Sequence, residues 1–154
     1  MMAAGRAGEL GAKTALLEKN TSLGRKLLLT GKGRSNITRA DFNPKELVKK
    51  YGSAGLPAGR QGDFLLYPLS IFGVKETIGF FEKKGLKTKI ERGKRIFPAS
   101  DRASDVLAVL IGYLKSAGVE IMADSKVKEI EFKQNRITKI VLSNGKEIFA
   151  KNYI

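Results

Sequence analysis

The densest group of side chains able to bind an anion lies in residues 23–38, with the stretch TGKGRSNIT at 30–38 as its centre. Glycines let the backbone approach a phosphate closely, Arg and Lys supply charge, and Thr, Ser and Asn supply neutral donors. Arg25 and Lys26 add positive charge just upstream. The stretch is not a Walker A loop, because Gly33 stands where that motif needs Ser or Thr to coordinate magnesium. Its composition indicates either an anion cradle or a basic surface loop.

A single acid, Glu18, follows the short apolar run at residues 14–17. An acid at the carboxyl end of the second strand of a dinucleotide-binding βαβ unit accepts hydrogen bonds from ribose hydroxyls. The glycine fingerprint of such a unit is absent. Gly5, Gly8 and Gly11 have a similar spacing, but they lie in and after a predicted helix. By itself, Glu18 therefore fits either a ribose acceptor or an acid on the surface at the end of a strand.

The sequence contains no cysteine and no histidine. The missing thiols exclude disulfides, thiolate zinc sites and a Cys-x-x-Cys redox pair. Without histidine, the chain can build neither a Ser-His-Asp triad nor a His-ligated metal centre. We therefore predict no catalytic side chain and no metal site within these residues, and any chemistry must come from a cofactor.

The chain is strongly basic, with 29 Lys and Arg against 15 Asp and Glu and a formal charge of +14. This balance favours an anionic partner, such as nucleic acid, an acidic membrane or a phosphorylated cofactor. Phe80 and Phe81 belong to the apolar face of a predicted helix rather than to a basic strand platform, which argues against nucleic acid. No uncharged apolar run approaches the roughly 20 residues of a membrane helix, and no signal peptide is seen. We expect a soluble cytoplasmic protein without a membrane partner.

Periodicity predicts a layer of helices and strands followed by an antiparallel meander. The predicted helices are a small-residue helix ending near Gly11, a helix from Pro44 to about Tyr51 capped by Asn43, a helix from Pro68 to Lys84, and a long amphipathic helix over 101–117. The predicted strands are 14–17, 86–91, 95–97, 119–122, 127–132, 137–142 and 147–151. Residues 23–38 are predicted to be a loop, and the glycine-rich residues 52–62 a surface insertion.

Six segments together resemble a known family. They are AAGRAxELGAK from residue 3, LLEKN from 16, LGRKLLxTGxGRSNxT from 23, FFE from 80, ERGxRxFPxSDxASDV from 91 and GVEI from 118. The chain resembles the aminoacetone-oxidase-like family of NAD(P)/FAD-dependent oxidoreductases, which are glutathione-reductase-like flavoproteins with two dinucleotide-binding domains. The resemblance covers nearly the whole chain. It implies a partial FAD-binding, Rossmann-like α/β domain with an appended meander, with FAD as cofactor and NAD(P)H as a further partner.

The resemblance also implies roles for individual residues. Glu18, with Lys19 beside it, would hold the adenosine ribose, and the backbone of Val127 would meet the adenine. The residues that would line the pyrophosphate and the flavin are Arg25, Lys26, Thr30, Gly31, Gly33, Arg34, Ser35 and Asn36. The family usually has Cys where this chain has Ser35.

The resemblance further predicts a fragment, since the family's glycine-rich entry and its Ala-Thr-Gly-Gly-type segment are both missing. Loss of that entry would remove a helix N-terminus that favours the pyrophosphate and would cost most of the affinity for FAD. We expect one partial domain over residues 1–154, with a nucleotide-binding half unit at 1–38, inserted helices and strands at 39–100, and the long helix and meander at 101–154. The predicted function is FAD binding with transfer of a hydride or electron pair through the flavin. The alternatives are a small nucleic-acid-binding protein and an inactive fragment.

Overall fold

The computed structural model describes residues 1–49 and 63–154. These residues form two compact units. The first unit comprises Met1–Arg25 and Leu110–Ile154, and the second comprises Lys26–Val109. The predicted insertion at 52–62 and the predicted helix end at Tyr51 lie outside the described residues, and the three-part division of the domain stays a prediction.

Six α-helices and eight strands are formed by the described residues. In chain order they are α1 Met2–Glu9, β1 Ala15–Leu17, α2 Arg25–Leu29, β2 Thr38–Arg39, α3 Pro44–Lys49, α4 Asp63–Ile71, α5 Val74–Lys83, β3 Thr88–Glu91, β4 Arg95–Pro98, α6 Ala103–Ser116, β5 Glu120–Met122, β6 Val127–Lys133, β7 Arg136–Leu142 and β8 Glu147–Ile148. One turn of 3-10 helix follows α2 at Thr30–Gly33.

The first unit is built on a parallel pair of strands, β1 and β5. Ala15 lies opposite Glu120 and Leu17 opposite Met122, so both strands end at the same edge. Helix α1 carries small residues because it packs closely on the end of α6. A Cβ atom placed on Gly5 would come within 2.2 Å of the Tyr113 ring. This close approach explains why the first helix is so rich in glycine and alanine.

The remaining strands of the first unit, β6, β7 and β8, form an antiparallel sheet in that order. The predicted turn at Asn144 and Gly145 joins β7 to β8, and Gly145 adopts a φ of 84°, which favours glycine. Strand β8 ends at Ile148, three residues before the predicted end. The parallel pair and the meander confirm the predicted α/β class with an antiparallel element.

The second unit contains a three-stranded antiparallel sheet in the order β2-β4-β3. The central strand β4 carries Ile96 and Phe97, which are almost completely buried. Ile96 packs with Leu47 of α3 and Val74 of α5 to form the core of this unit. Burial of such aliphatic side chains stabilises the sheet and fixes the position of the loops at its edges.

The structure differs from the prediction in two regions. The predicted loop at 23–38 contains α2, because Arg25, Lys26 and the leucines after them are good helix formers. Its last residue, Thr38, begins β2, a strand that the sequence did not predict. The helix predicted to begin at Pro68 begins at Asp63 instead, with Pro68 inside α4. The chain then turns at Gly73, where a Cβ atom would lie 2.5 Å from the Leu69 carbonyl oxygen. A new helix, α5, starts after this turn, and the Gly73 N–H donates to the Glu76 carboxylate at 3.0 Å.

The stretch Phe64–Lys83 is long and apolar enough, by length and composition, to cross a membrane. Phe64 and Tyr67 on α4 are about three-quarters exposed, at 73% and 75%. The turn at Gly73 divides the stretch into helices of 9 and 10 residues, whereas a span needs about 20 residues in one helix. The absence of a membrane partner stays a prediction.

The packing of α1 predicts the effect of adding one methyl group. Gly5→Ala should lower the free energy of unfolding by about 1–3 kcal/mol, because the new Cβ collides with the buried Tyr113 ring. Gly112→Ala on α6 is the matched control, since its Cβ would meet nothing within 4 Å, and it should stabilise the protein by about 0.5–1 kcal/mol. Urea unfolding of both variants measures the difference. Equal changes in the two variants would contradict the close packing.

Candidate functional site

Backbone hydrogen bonds fix Glu18 just beyond the carboxyl end of β1. Its N–H donates to the Met122 carbonyl at 2.9 Å, and its own carbonyl accepts from the Ser125 N–H at 2.8 Å. The carboxyl ends of parallel strands are where open α/β sheets bind their ligands. The half-buried Glu18 therefore lies at the edge of the first unit where the sequence predicts a ribose acceptor.

Asn20 holds the Glu18 carboxylate. Oε1 of Glu18 accepts hydrogen bonds from the Asn20 backbone N–H at 2.8 Å and from its side-chain Nδ2 at 2.6 Å. The backbone bond is the main cause that lowers the pKa of Glu18, and the Asn20 side chain and the charge of Lys19 act in the same direction. Glu18 is thus ionised and acts only as an acceptor at neutral pH.

Arg25 and the segment that precedes Val127 both form hydrogen bonds with Asn20. The Arg25 guanidinium donates from Nη1 to the Asn20 side-chain oxygen at 3.1 Å. The Asp124 N–H donates to the Asn20 carbonyl at 3.0 Å, three residues before Val127 begins β6. The Val127 side chain is partly exposed rather than part of the core. In the first unit the structure therefore brings Glu18, Arg25 and the segment entering β6 together, with Lys19 exposed beside them.

The predicted anion cradle of the second unit is a left-handed turn. Gly31, Lys32, Gly33 and Ser35 all have positive φ angles, at 57°, 57°, 82° and 58°. The Ser35 N–H closes the turn by donating to the Thr30 carbonyl at 3.0 Å. Side chains other than glycine rarely adopt this conformation, and each costs roughly 1–2 kcal/mol. Strained backbone of this kind concentrates at functional sites and persists only when its surroundings hold it in place.

Arg34 is held by two carboxylates. Its Nη1 donates to both oxygens of Glu91, at 3.0 and 3.1 Å, and to Asp101 at 3.2 Å. The guanidinium also lies over the Phe97 ring, 4.1 Å from its centre. The hydrogen bond with Glu91 is the main cause that raises the pKa of Arg34 above its usual value. Arg34, which the sequence predicts to bind phosphate, therefore already has protein partners at its Nη1 end.

Two other predicted ligands also have internal partners. The Thr30 hydroxyl donates to the Leu27 carbonyl at 2.7 Å. The Asn36 side-chain amide lies against the carbonyl oxygens of Thr38 and Ile96, and with its nitrogen oriented toward them it would donate to both, at 2.9 and 3.2 Å. Ser35 is buried, whereas Lys26 is exposed on α2. In the second unit, Lys26 and the residues from Thr30 to Asn36 therefore lie along one short segment. Hydrogen bonds within the protein fix the backbone conformation of this segment.

Sequence reasoning missed four residues that shape these sites, namely Asn20, Lys89, Glu91 and Asp101. Asn20 could have been found, since Asx side chains commonly organise turns after a strand. The other three are separated from Arg34 by more than fifty positions, and no local pattern pairs them with it.

The family model of the HI0933-like protein Rossmann domain matches residues 1–154, the whole chain. The chain belongs to this family. The HI0933-like family is one of FAD-binding Rossmann oxidoreductases, so the resemblance inferred from the sequence motifs is confirmed. These comparisons do not favour the nucleic-acid alternative.

One curated relative and one solved structure are similar to this chain. The chain is 33% identical, over 120 residues, to the 3-dehydro-bile acid delta(4,6)-reductase of Clostridium scindens, covering 78% of this chain and 27% of the reductase. It also shares a fold with THI4 of Thermovibrio ammonificans, with a TM-score of 0.57 and 12% identity over 92% of this chain and 42% of that one. The HI0933-like chain therefore spans about a quarter of the length of the reductase and about two-fifths of that of THI4.

The left-handed turn predicts different costs at its two glycines. Ala at Gly31 or Gly33 has to adopt a positive φ, which costs roughly 1–2 kcal/mol. Gly31→Ala should cost more, because its Cβ would also lie 3.0 Å from both the Asn36 backbone nitrogen and the Phe97 ring, whereas a Cβ on Gly33 would lie an ordinary 4.0 Å from the Leu28 carbonyl oxygen. Chemical denaturation of the two variants measures the difference, and a larger loss for Gly33→Ala would contradict this packing.

Asp101 predicts an acid-dependent loss of stability. The hydrogen bond from Lys89 is the main cause that lowers its pKa, and Arg34 adds to the effect. The unfolded chain then binds a proton more readily than the folded chain, so this stabilisation is complete above the ordinary aspartate pKa of 3.8 and is lost as the pH falls through the folded-state pKa. Asp101→Asn should flatten the fall in unfolding free energy below about pH 4. Parallel curves for the two proteins would show that Asp101 is not held in this way.

Proposed function

We propose that this chain binds FAD and serves an oxidoreductase that transfers a hydride or electron pair through the flavin, with NAD(P)H as a further partner. The observation that carries the proposal is the ionised Glu18 at the carboxyl end of β1, held there by Asn20, in a chain that matches a Rossmann family along its whole length. The curated relative is a reductase, which supports redox chemistry. Cytoplasmic location is part of the same proposal.

The carboxylate of Glu18 suits a ribose. An ionised carboxylate can accept about four hydrogen bonds, and Asn20 supplies two of them. The remaining capacity fits the two neighbouring hydroxyls of an adenosine ribose, which are donors. The backbone at Val127 would meet the adenine, and Arg25 would add positive charge beside the ribose end of the cofactor.

The turn of the second unit suits phosphate or the flavin's polar edge. Its glycines permit close approach of a ligand to the backbone, and Lys26 and Arg34 supply charge. A guanidinium has five N–H donors, and those of Arg34 on Nη1 are taken by Glu91 and Asp101. The other donors provide the capacity to bind an anion. Ser35 and Asn36 would shape this turn rather than transfer protons.

The residues of this chain bind and orient. When bound, a flavin supplies the two-electron redox chemistry, and the protein supplies position and electrostatics. The sequence contains neither His nor Cys, and we assign no acid–base catalyst to it. Glu18 is an acceptor at neutral pH and serves in binding.

Titration of the chain with FAD, followed by flavin fluorescence, tests the proposal. Glu18→Gln should weaken binding roughly tenfold to a hundredfold, because a neutral amide accepts weaker hydrogen bonds from the ribose than a carboxylate does. Glu120→Gln is the matched control, since it makes the same charge change at the opposite end of the β1–β5 pair. It should leave the affinity for FAD unchanged.

Two results would contradict the proposal. Equal affinities for FAD in the wild-type chain and in Glu18→Gln would show that Glu18 does not bind the ribose. Absence of FAD binding, together with salt-sensitive binding of a labelled oligonucleotide, would instead support the nucleic-acid alternative, whose affinity falls steeply with salt.

A further inference from the structure

Four charged side chains of the second unit form one cluster around Arg34. Glu91 binds Arg34 through both carboxylate oxygens and Asp101 binds it through Oδ1, while Lys89 pairs with Oδ2 of Asp101 and Oε1 of Glu91. Two cations and two carboxylates balance each other, and each side chain is only partly exposed. We name Glu91 and Asp101 the carboxylate clamp.

The β3–β4 hairpin builds this clamp. Glu91 ends β3 and lies opposite Arg95 of β4, and Lys89 stands two residues earlier, on the same face of the strand. Asp101 follows β4 in a turn closed by its N–H donating to the Pro98 carbonyl at 3.0 Å. The hairpin and the turn after it thus set the spacing of both carboxylates without help from Arg34.

The same hairpin fastens the left-handed turn. The Ile37 N–H donates to the Ile96 carbonyl at 2.8 Å. Phe97 lies beneath the turn, in contact with the Arg34 guanidinium and close to Gly31. Arg34 is therefore restrained by a ring below it and by the clamp at Nη1. A guanidinium restrained in this way has lost its rotational freedom before any ligand arrives.

We propose that Glu91 and Asp101 are positioning residues for the cofactor, which hold Arg34 by Nη1 so that its remaining N–H donors are presented to the anionic part of FAD. This inference rests on the proposed function. Neither carboxylate is assigned a contact with FAD, and both act through Arg34.

Whether the affinity for FAD falls or rises when the charge of Glu91 is removed distinguishes positioning of Arg34 from a simple electrostatic effect. FAD is an anion, so removal of a nearby negative charge should by itself tighten its binding. If Glu91 positions Arg34, the same change should weaken binding, because Arg34 regains its freedom and must be ordered by the ligand. A purely structural role would alter stability without this specific loss of affinity.

The experiment measures the dissociation constant for FAD in the wild-type chain and in Glu91→Gln, with thermal unfolding recorded alongside. Glu91→Gln should raise the dissociation constant about tenfold, the size typical when a partner that orients a binding group is lost. Glu147→Gln is the matched control. It makes the same charge change in a comparable arrangement, where Glu147 and Glu131 share Lys139 in the first unit, and it should leave the dissociation constant unchanged.

A double-mutant cycle with Arg34→Lys identifies the residue through which Glu91 acts. In the Arg34→Lys background, Glu91→Gln should cause no further loss of affinity for FAD, because the positioned group is already gone. Asp101→Asn serves as the second variant if Glu91→Gln does not fold, and it should weaken FAD binding in the same direction.

Unchanged or tighter binding by a folded Glu91→Gln, or by Asp101→Asn in its place, would overturn this inference and leave the proposed function intact. An equal loss in the Arg34→Lys background would overturn it as well, because Glu91 would then act by another route. Absence of FAD binding by the wild-type chain would overturn the proposed function and this inference together.

Discussion

The parallel pairing of β1 with β5 decides where Glu18 stands, and the proposed cofactor site depends on it. The N–H of Glu18 extends the pairing by bonding to Met122, and the chain beyond β5 returns through Ser125 to the Glu18 carbonyl. Asn20 then turns the carboxylate into a fixed acceptor with a lowered pKa. A slip of one residue in this register would reverse the side of the sheet that each side chain faces.

The second constraint is the fastening of a strained turn to a hairpin. Lys32 and Ser35 adopt left-handed conformations that are unfavourable for them. The turn is held by the contacts of Arg34 with Glu91, Asp101 and Phe97. The β3–β4 hairpin therefore serves the turn as a rigid base, much as β5 serves Glu18.

The sequence allowed seven of the eight strands of the described residues, the α/β class and the place of Glu18 at the end of a strand to be predicted, because these follow from periodicity and from local turn residues. Helix α2 was missed because the glycines around Arg25–Leu29 outweighed the helix-forming residues between them. The start of α4 was missed because Pro68 is usually found in the first turn of a helix. The partners of Arg34 could not be predicted, since an ion pair over 57 positions depends on the sheet that brings Glu91 beneath the turn.

Amide chemical-shift mapping of the ¹⁵N-labelled chain during titration with FAD tests the central claim most directly. If Glu18 holds the ribose, the largest shifts in the first unit should fall on the amides of Asn20, Ser125 and Val127. Asn20 follows Glu18 by two residues, the Ser125 N–H donates to the Glu18 carbonyl, and Val127 begins the strand that follows Ser125. Saturable shifts that leave these amides unchanged and gather instead on the exposed face of α4, around Phe64 and Tyr67, would contradict the account.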